Sequence, residues 1–173
     1  IINIKHIKNK GLGEALKTGF NYAINSSKEN SILITMDSDN SHPIKNINEM
    51  IKKIRNGINI VISSRYQKGS KITGVPILRI FLANIASIIF RIFFPIKNVK
   101  DYTCGFRAYD VNLLKNAYKN NINLFSEKNF SSQADILLKL RFFNKNIKAE
   151  EIAMDLRYDL KSGKSKMNVI KNI

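Results

Sequence analysis

Apolar and polar positions along this chain follow two alternating rhythms. Ile1 to Lys8 nearly alternates apolar with polar residues and predicts an opening strand. Leu12, Ala15, Leu16, Gly19, Phe20, Ala23 and Ile24 then recur at helical spacing. Ser31 to Met36 is an apolar run of strand length, and Ile47, Met50, Ile51 and Ile54 mark an amphipathic helix closing near Gly57. Asn59 to Ser64 predicts another buried strand. The first third thus reads strand, helix, strand, helix, strand, the pattern of parallel strands joined by helical crossovers.

Farther on, Pro76 and Pro95 bracket a long apolar segment. Asp110 predicts an N-cap for a helix carrying Val111, Leu114 and Tyr118. Ser131 or Ser132 predicts the start of a helix with Ile136, Leu137, Leu140 and Phe143. Ile147 to Arg157 predicts a last strand, before a basic loop from Lys161 to Lys166. The expectation is one α/β domain with a mostly parallel central sheet. Because the chain opens on Ile1, directly in a strand, we expect the domain to be partial, with its N-terminal part missing.

Composition narrows the picture. A chain of 173 residues, 44% hydrophobic, can bury a core, and 24% charged residues with three prolines argue against general disorder. The single cysteine, Cys104, excludes an internal disulfide framework. A net charge of +16 implies attraction to nucleic acid, anionic headgroups or diphosphates. Scattered lysines forming a solvated face are the competing reading.

Few residues carry candidate chemistry. Asp37 and Asp39 follow a buried strand, at the end where open α/β sheets bind ligands. Residues i and i+2 of an extended segment face one side, so both carboxylates can reach one Mg²⁺ or Mn²⁺ on a substrate phosphate. A plain polar turn fits the same spacing. Arg65 follows the next strand, Arg79 begins the apolar segment, and Arg107 lies in a Gly-Phe-Arg turn. Guanidinium forks match phosphate oxygens, although each arginine alone also reads as a surface residue. His6 and His42 have no partners at metal-ligand spacing.

The segment Ile77–Phe94 carries a broad stripe of Leu78, Phe81, Leu82, Ile85, Ile88, Ile89 and Ile92. Ile80, Phe90 and Phe94 lie opposite, beside Arg79, Asn84 and Arg91. A helix apolar nearly all round is buried or touches lipid. The arginines leave too short an uncharged run for a spanning helix, which needs about 20 apolar residues. An interfacial helix is expected, with an ordinary core helix as the alternative.

Taken in order, several stretches resemble glycosyltransferase family 2. They are Asn9-Lys10-Gly11-Leu12-Gly13-Glu14-Ala15 with Gly19, Met36-Asp37-Ser38-Asp39 with His42-Pro43, and Ser64-Arg65-Tyr66 with Gly69 and Arg79. Asp101-Tyr102-Thr103-Cys104-Gly105-Phe106-Arg107-Ala108-Tyr109 and Gly163-Lys164-Ser165-Lys166-Met167 complete the set. Within the family they look like the dolichyl-phosphate mannosyltransferase-like (polyprenyl-phosphate glycosyltransferase) branch.

The resemblance implies a GT-A-like fold, a nucleotide-sugar donor and an inverting displacement assisted by Mg²⁺ or Mn²⁺. It also implies a polyprenyl or dolichyl phosphate acceptor at the cytoplasmic face of a membrane. Asp37 and Asp39 would be the catalytic cation ligands, and Arg65, Arg79, Ser165 and Lys166 would hold the acceptor phosphate. Arg107, Asp135 and Lys161 are further site candidates. Attachment would be peripheral, through Ile77–Phe94 and without a transmembrane helix, and no nucleic-acid partner is expected.

The chain departs from the family at Ser41, where relatives often carry Gln, and at Leu160, where an Arg is usual and Lys161 stands beside it. The family's first two strands, which build the nucleobase and ribose pocket, are absent from residues 1–173. Two alternatives remain. A basic nucleic-acid-binding module would interleave aromatics with Lys and Arg on an exposed face. A non-catalytic remnant would keep only the glycosyltransferase fold.

Overall fold

A computed structural model describes residues 2–126 and 131–161. Its elements run α1 (Leu12–Ser26), β1 (Ile32–Thr35), α2 (Asn46–Arg55), β2 (Ile60–Ser64), β3 (Lys71–Thr73) and α3 (Ile77–Phe93). They continue with β4 (Arg107–Asp110), α4 (Val111–Lys119), α5 (Ser132–Phe143), β5 (Ala149–Ala153) and β6 (Asp155–Arg157). A short 3-10 turn, Tyr158–Leu160, closes the described chain.

The main sheet has the order β1-β4-β2-β5. Strands β2 and β5 are parallel, with Ile60 opposite Ala149, while β4 is antiparallel to both β1 and β2. Three of the four strands therefore point one way, and β4 runs back between two of them. Every residue of β2 is buried, as its unbroken apolar run predicts for a central strand. Met50 and Ile54 of α2, Phe20 and Ile24 of α1, Leu113 and Leu114 of α4, and Ile136, Leu137 and Leu140 of α5 share one core with it. Asp110 caps α4, its carboxylate accepting from the Asn112 N–H at 2.9 Å.

This topology positions the site. The carboxyl ends of β1, β2 and β5 and the amino end of β4 all fall on one edge of the sheet. Asp37, Arg65 and Gly105 consequently meet there, although they lie far apart in sequence. A second, two-stranded sheet joins β3 to β6 in parallel at the same end, with Lys71 opposite Asp155 and Thr73 opposite Arg157. Gly74 follows β3 at φ 79°, and a Cβ there would stand 2.7 Å from the Asp159 backbone nitrogen. Only glycine accepts both that conformation and that approach.

Two expectations need correction. The opening stretch forms no strand: residues 2–10 are irregular, and Ile2, Ile4 and Ile7 are exposed. A strand needs a neighbour to take its backbone hydrogen bonds, and no strand among the described residues pairs with this one. The last strand breaks at Met154, whose N–H bonds back to Ser64 O while its carbonyl accepts from Lys71 N. The chain thereby passes from the main sheet to the small one.

The long apolar helix α3 is not a core helix. Its one buried residue is Ser87, whose hydroxyl donates to Lys100 O at 2.6 Å. Ile77, Leu78, Phe81, Ile88, Ile92 and Phe93 are each more than half exposed. On the inner side Phe90 stacks on Tyr102, with centroids 5.2 Å apart. Among the described residues, no helix is long and apolar enough to cross a membrane.

Arg107 is also corrected. It is fully buried, donating through Nη1 to Gln133 O at 2.6 Å and through Nη2 to Tyr102 O at 2.7 Å. It braces the start of β4 against α5. Arg107→Met should therefore lower stability by about 3 kcal/mol or more, since each charge-assisted hydrogen bond contributes ~1.5–3 kcal/mol. Urea unfolding measures this, and a loss under 1 kcal/mol would contradict the bracing role.

Candidate functional site

The loop after β1 carries the two carboxylates. Thr35 Oγ1 donates to Gly105 O at 2.8 Å and ties the end of β1 to the approach of β4. The imidazole of His42 lies stacked on Phe106, its ring 9° from parallel and 5.1 Å away. Its Nδ1 accepts from the Asp37 N–H at 3.1 Å, so the ring proton belongs on Nε2, which faces Asp37 Oδ2 at 4.0 Å. Burial lowers the His42 pKa, even though the nearby Asp37 and Asp39 charges favour protonation. His42 thus acts as a neutral brace for Asp37, whose carboxylate is 56% exposed.

Asp39 sits deeper, with its side chain 19% exposed. Asn40 takes φ 63°, a conformation that Asn tolerates better than most residues, and returns Ser41 towards Asp39. Ser41 donates to Asp39 Oδ1 from both its N–H (3.2 Å) and its hydroxyl (2.6 Å). The other oxygen, Oδ2, holds the Lys161 ammonium at 2.7 Å. Partial burial opposes ionisation, but Lys161 and the Ser41 hydrogen bonds outweigh it and bring the carboxyl down to about 2. The hydrogen bond to Asp39 raises the Lys161 pKa, with the charge of Asp37 the smallest contribution.

Arg65 has a different partner from the one expected. Asp101 is wholly buried, and Arg65 grips it from Nε at 2.8 Å and Nη2 at 2.6 Å, with the Arg65 N–H adding a third bond at 3.1 Å. Nη2 also donates to Thr103 Oγ1. Burial alone would raise the Asp101 pKa, but Arg65 reverses it and holds the carboxyl below its ordinary value. Behind this pair, Glu151 Oε1 accepts from the N–H groups of Lys100 and Asp101, at 2.6 Å each.

Arg79 donates through Nη1 to the Tyr158 hydroxyl at 2.6 Å, and its guanidinium lies 5.5 Å from that ring. Lys161 lies 5.4 Å from the same ring. Tyr158 thus gathers Arg79 and Lys161 around one ring. Asp135 bonds Lys139 one turn on, at 2.8 Å, and accepts from Ser126. Ser165 and Lys166 lie outside the described residues. Beside the Asp39 loop, a hollow of about 260 Å³ opens between Asn40–Lys45 and Asp155, Arg157 and Leu160.

The sequence profile of the family described as glycosyl transferase family 2 matches residues 1–117. The chain belongs to that family. Its relatives include a dolichol-phosphate mannosyltransferase of Pyrococcus furiosus, 37% identical over 106 residues, or 61% of this chain and 29% of that protein. A polyprenol monophosphomannose synthase of Mycolicibacterium smegmatis is 27% identical over 136 residues, 78% of this chain and 49% of its own length. An undecaprenyl-phosphate mannosyltransferase of Micrococcus luteus is 27% identical over 147 residues, 84% and 58%. The matched part of this family 2 chain therefore covers from under a third to just over half of each relative.

For a family 2 chain, the donor set suits a hard divalent cation. Asp37 offers an open carboxylate, and Asp39 already carries an ammonium at contact distance, a monovalent stand-in for a metal. Among the described residues no third His, Cys, Asp or Glu joins them. Ser41 serves Asp39, and His42 has its Nδ1 turned to the backbone. Sequence reasoning missed Asp101 and Tyr158 as organisers. Asp101 stood inside a matched stretch, but nothing linked it to Arg65, and Tyr158 lies in no motif.

Proposed function

We propose that this chain is the catalytic portion of an enzyme that transfers mannose from a nucleotide-sugar donor to a polyprenyl phosphate at a membrane surface. Support comes chiefly from one observation in a family 2 chain: at the ligand-binding edge of the sheet the Asp39 carboxylate holds the Lys161 ammonium at 2.7 Å, with the open Asp37 carboxylate in the same loop. The names of the relatives point to mannose and to lipid phosphates.

Asp37 and Asp39 would hold Mg²⁺ or Mn²⁺, which when bound neutralises charge on the leaving diphosphate. His42 keeps the Asp37 carboxylate in place. Arg79 and Lys161 meet the acceptor phosphate beside Tyr158. A phosphate oxygen is already ionised near neutral pH, so its attack needs no strong general base. That oxygen bonds to the anomeric carbon as the bond to the diphosphate breaks on the opposite face, and configuration inverts. Arg65 keeps the 101–105 loop in position. The exposed apolar face of α3 lies in the cytoplasmic surface of the bilayer, with Arg91 and the surrounding lysines at the headgroups.

The test is transfer from GDP-mannose to polyprenyl phosphate by the full-length protein with Mn²⁺. Asp39→Asn should abolish transfer with the circular dichroism unchanged. Arg79→Lys should weaken acceptor use by about tenfold, because Lys keeps the charge but loses the planar fork. Arg65→Lys should mainly lower thermal stability. Near-normal transfer by Asp39→Asn would overturn the reading. Flotation with anionic vesicles should weaken with salt without vanishing, since salt screens the basic part over roughly 10 Å at 0.1 M but leaves the apolar part intact. Complete release at high salt would contradict the role given to α3.

A further inference from the structure

At the C-terminal end of α3 a hollow of about 380 Å³ opens between Arg91 and the segment from Pro95 to Tyr102. Its charged lining is Arg91 and Lys100, and no carboxylate is among the lining residues. Hydrogen bonds fix its walls. The Tyr102 hydroxyl donates to Phe94 O at 2.8 Å and accepts from the Ile96 N–H at 3.1 Å. Asn98 takes φ 65°, and the Val99 N–H donates to Ile96 O at 3.1 Å, which closes a tight turn. Lys100 is held at both ends of its backbone, its N–H by Glu151 and its carbonyl by Ser87 of α3. The cationic side chains take no part in this bracing. Arg91 and Lys100 are exposed, and none of the ion pairs among the described residues includes either.

The hollow also borders an apolar surface. Ile92, Phe93 and Phe94 follow Arg91 and are all exposed, and Phe142 of α5 meets Phe94 edge-on at 6.3 Å. We propose that the hollow binds the phosphodiester of an anionic glycerophospholipid, whose acyl chains lie along this apolar surface. The inference rests on the reading of α3 as a membrane-surface helix and names the lipid that holds its far end. It concerns a second phosphate, because Arg91 lies twelve residues beyond Arg79, about 18 Å along the helix. Arg91 presents a planar fork to two phosphate oxygens, and Lys100 adds a point charge. The C-terminal carbonyls of α3 oppose an anion with only about half a charge, which two cations exceed. Asn98 lines the same hollow and offers an amide to a headgroup hydroxyl. Scattered lysines attract any anionic surface, whereas a walled hollow chooses a headgroup.

The test is titration of the full-length protein with monomeric dihexanoyl phosphatidylglycerol, followed by calorimetry and by the amide NMR signals of Asn98, Lys100 and Tyr102. Dihexanoyl phosphatidylcholine, with the same chains but no net charge, runs in parallel with glycerol 1-phosphate, which has no chains. Phosphatidylglycerol should bind about tenfold more tightly than either and shift those three signals. Arg91→Gln combined with Lys100→Gln should abolish that preference at an unchanged melting temperature, since both side chains are exposed. Lys52→Gln combined with Lys119→Gln removes the same charge elsewhere and should leave the affinity within about twofold. Glycerol 1-phosphate binding as tightly as the lipid would make this a free-phosphate site and overturn the inference. Equal losses in the two double variants would mean diffuse attraction and overturn it too. Shifts centred on Arg79 and Tyr158 would place the lipid at the acceptor contact, with the same consequence. Equal binding of the two lipids would overturn the role of the hollow while leaving α3 at the membrane. Binding of neither lipid would overturn the membrane-surface reading of α3 and this inference with it.

Discussion

A carboxylate sealed from water must be paired and hydrogen-bonded or it does not stay ionised. Asp101 meets that demand with the Arg65 N–H, Nε and Nη2 and with the N–H groups of Thr103 and Cys104. The end of β2 is thereby fastened to the loop that enters β4. Gly105, two residues past Thr103, is tied by Thr35 to the end of β1, and so comes to lie beside Asp37. The place of Gly105 beside Asp37 depends on that fastening. An arginine that looks available for a substrate phosphate is in fact needed to build the edge on which substrates would sit.

The basic groups that do face the site come from elsewhere. The small β3–β6 sheet carries the chain from β5 to Tyr158, and Tyr158 gathers Arg79 and Lys161. Lys161 then reaches Asp39, so the Tyr158 cluster and the Asp39 loop are linked through one lysine.

Much of this was legible in sequence where a periodic pattern had to satisfy one buried face. The stripes of α1 and α2, the apolar run of β2 and the Asp110 cap were read directly, as was the run of motifs that resembles family 2. Strand β4 was not, because Arg107-Ala-Tyr-Asp shows no alternation and takes its register from two neighbouring strands. The opening alternation of Ile1 to Lys8 misled for the converse reason: a strand pattern without a neighbouring strand makes no ladder. Arg65, Arg107 and Lys161 were picked out as cations, but their partners Asp101, Gln133 and Asp39 are supplied by the fold. Residue type suggested phosphate, whereas burial decided in favour of Asp101 for Arg65 and of backbone carbonyls for Arg107.

The central claim is that Asp37 and Asp39 form a cation seat that Lys161 fills when no metal is bound. Paramagnetic broadening by Mn²⁺, followed by NMR on the full-length protein with a nucleoside diphosphate present, tests it most directly. The account predicts that signals of Asp37, Asp39, His42 and Lys161 broaden first, at substoichiometric Mn²⁺, and that Asp39→Asn abolishes the effect. Broadening centred on other carboxylates, or none near Asp37 and Asp39, would contradict it.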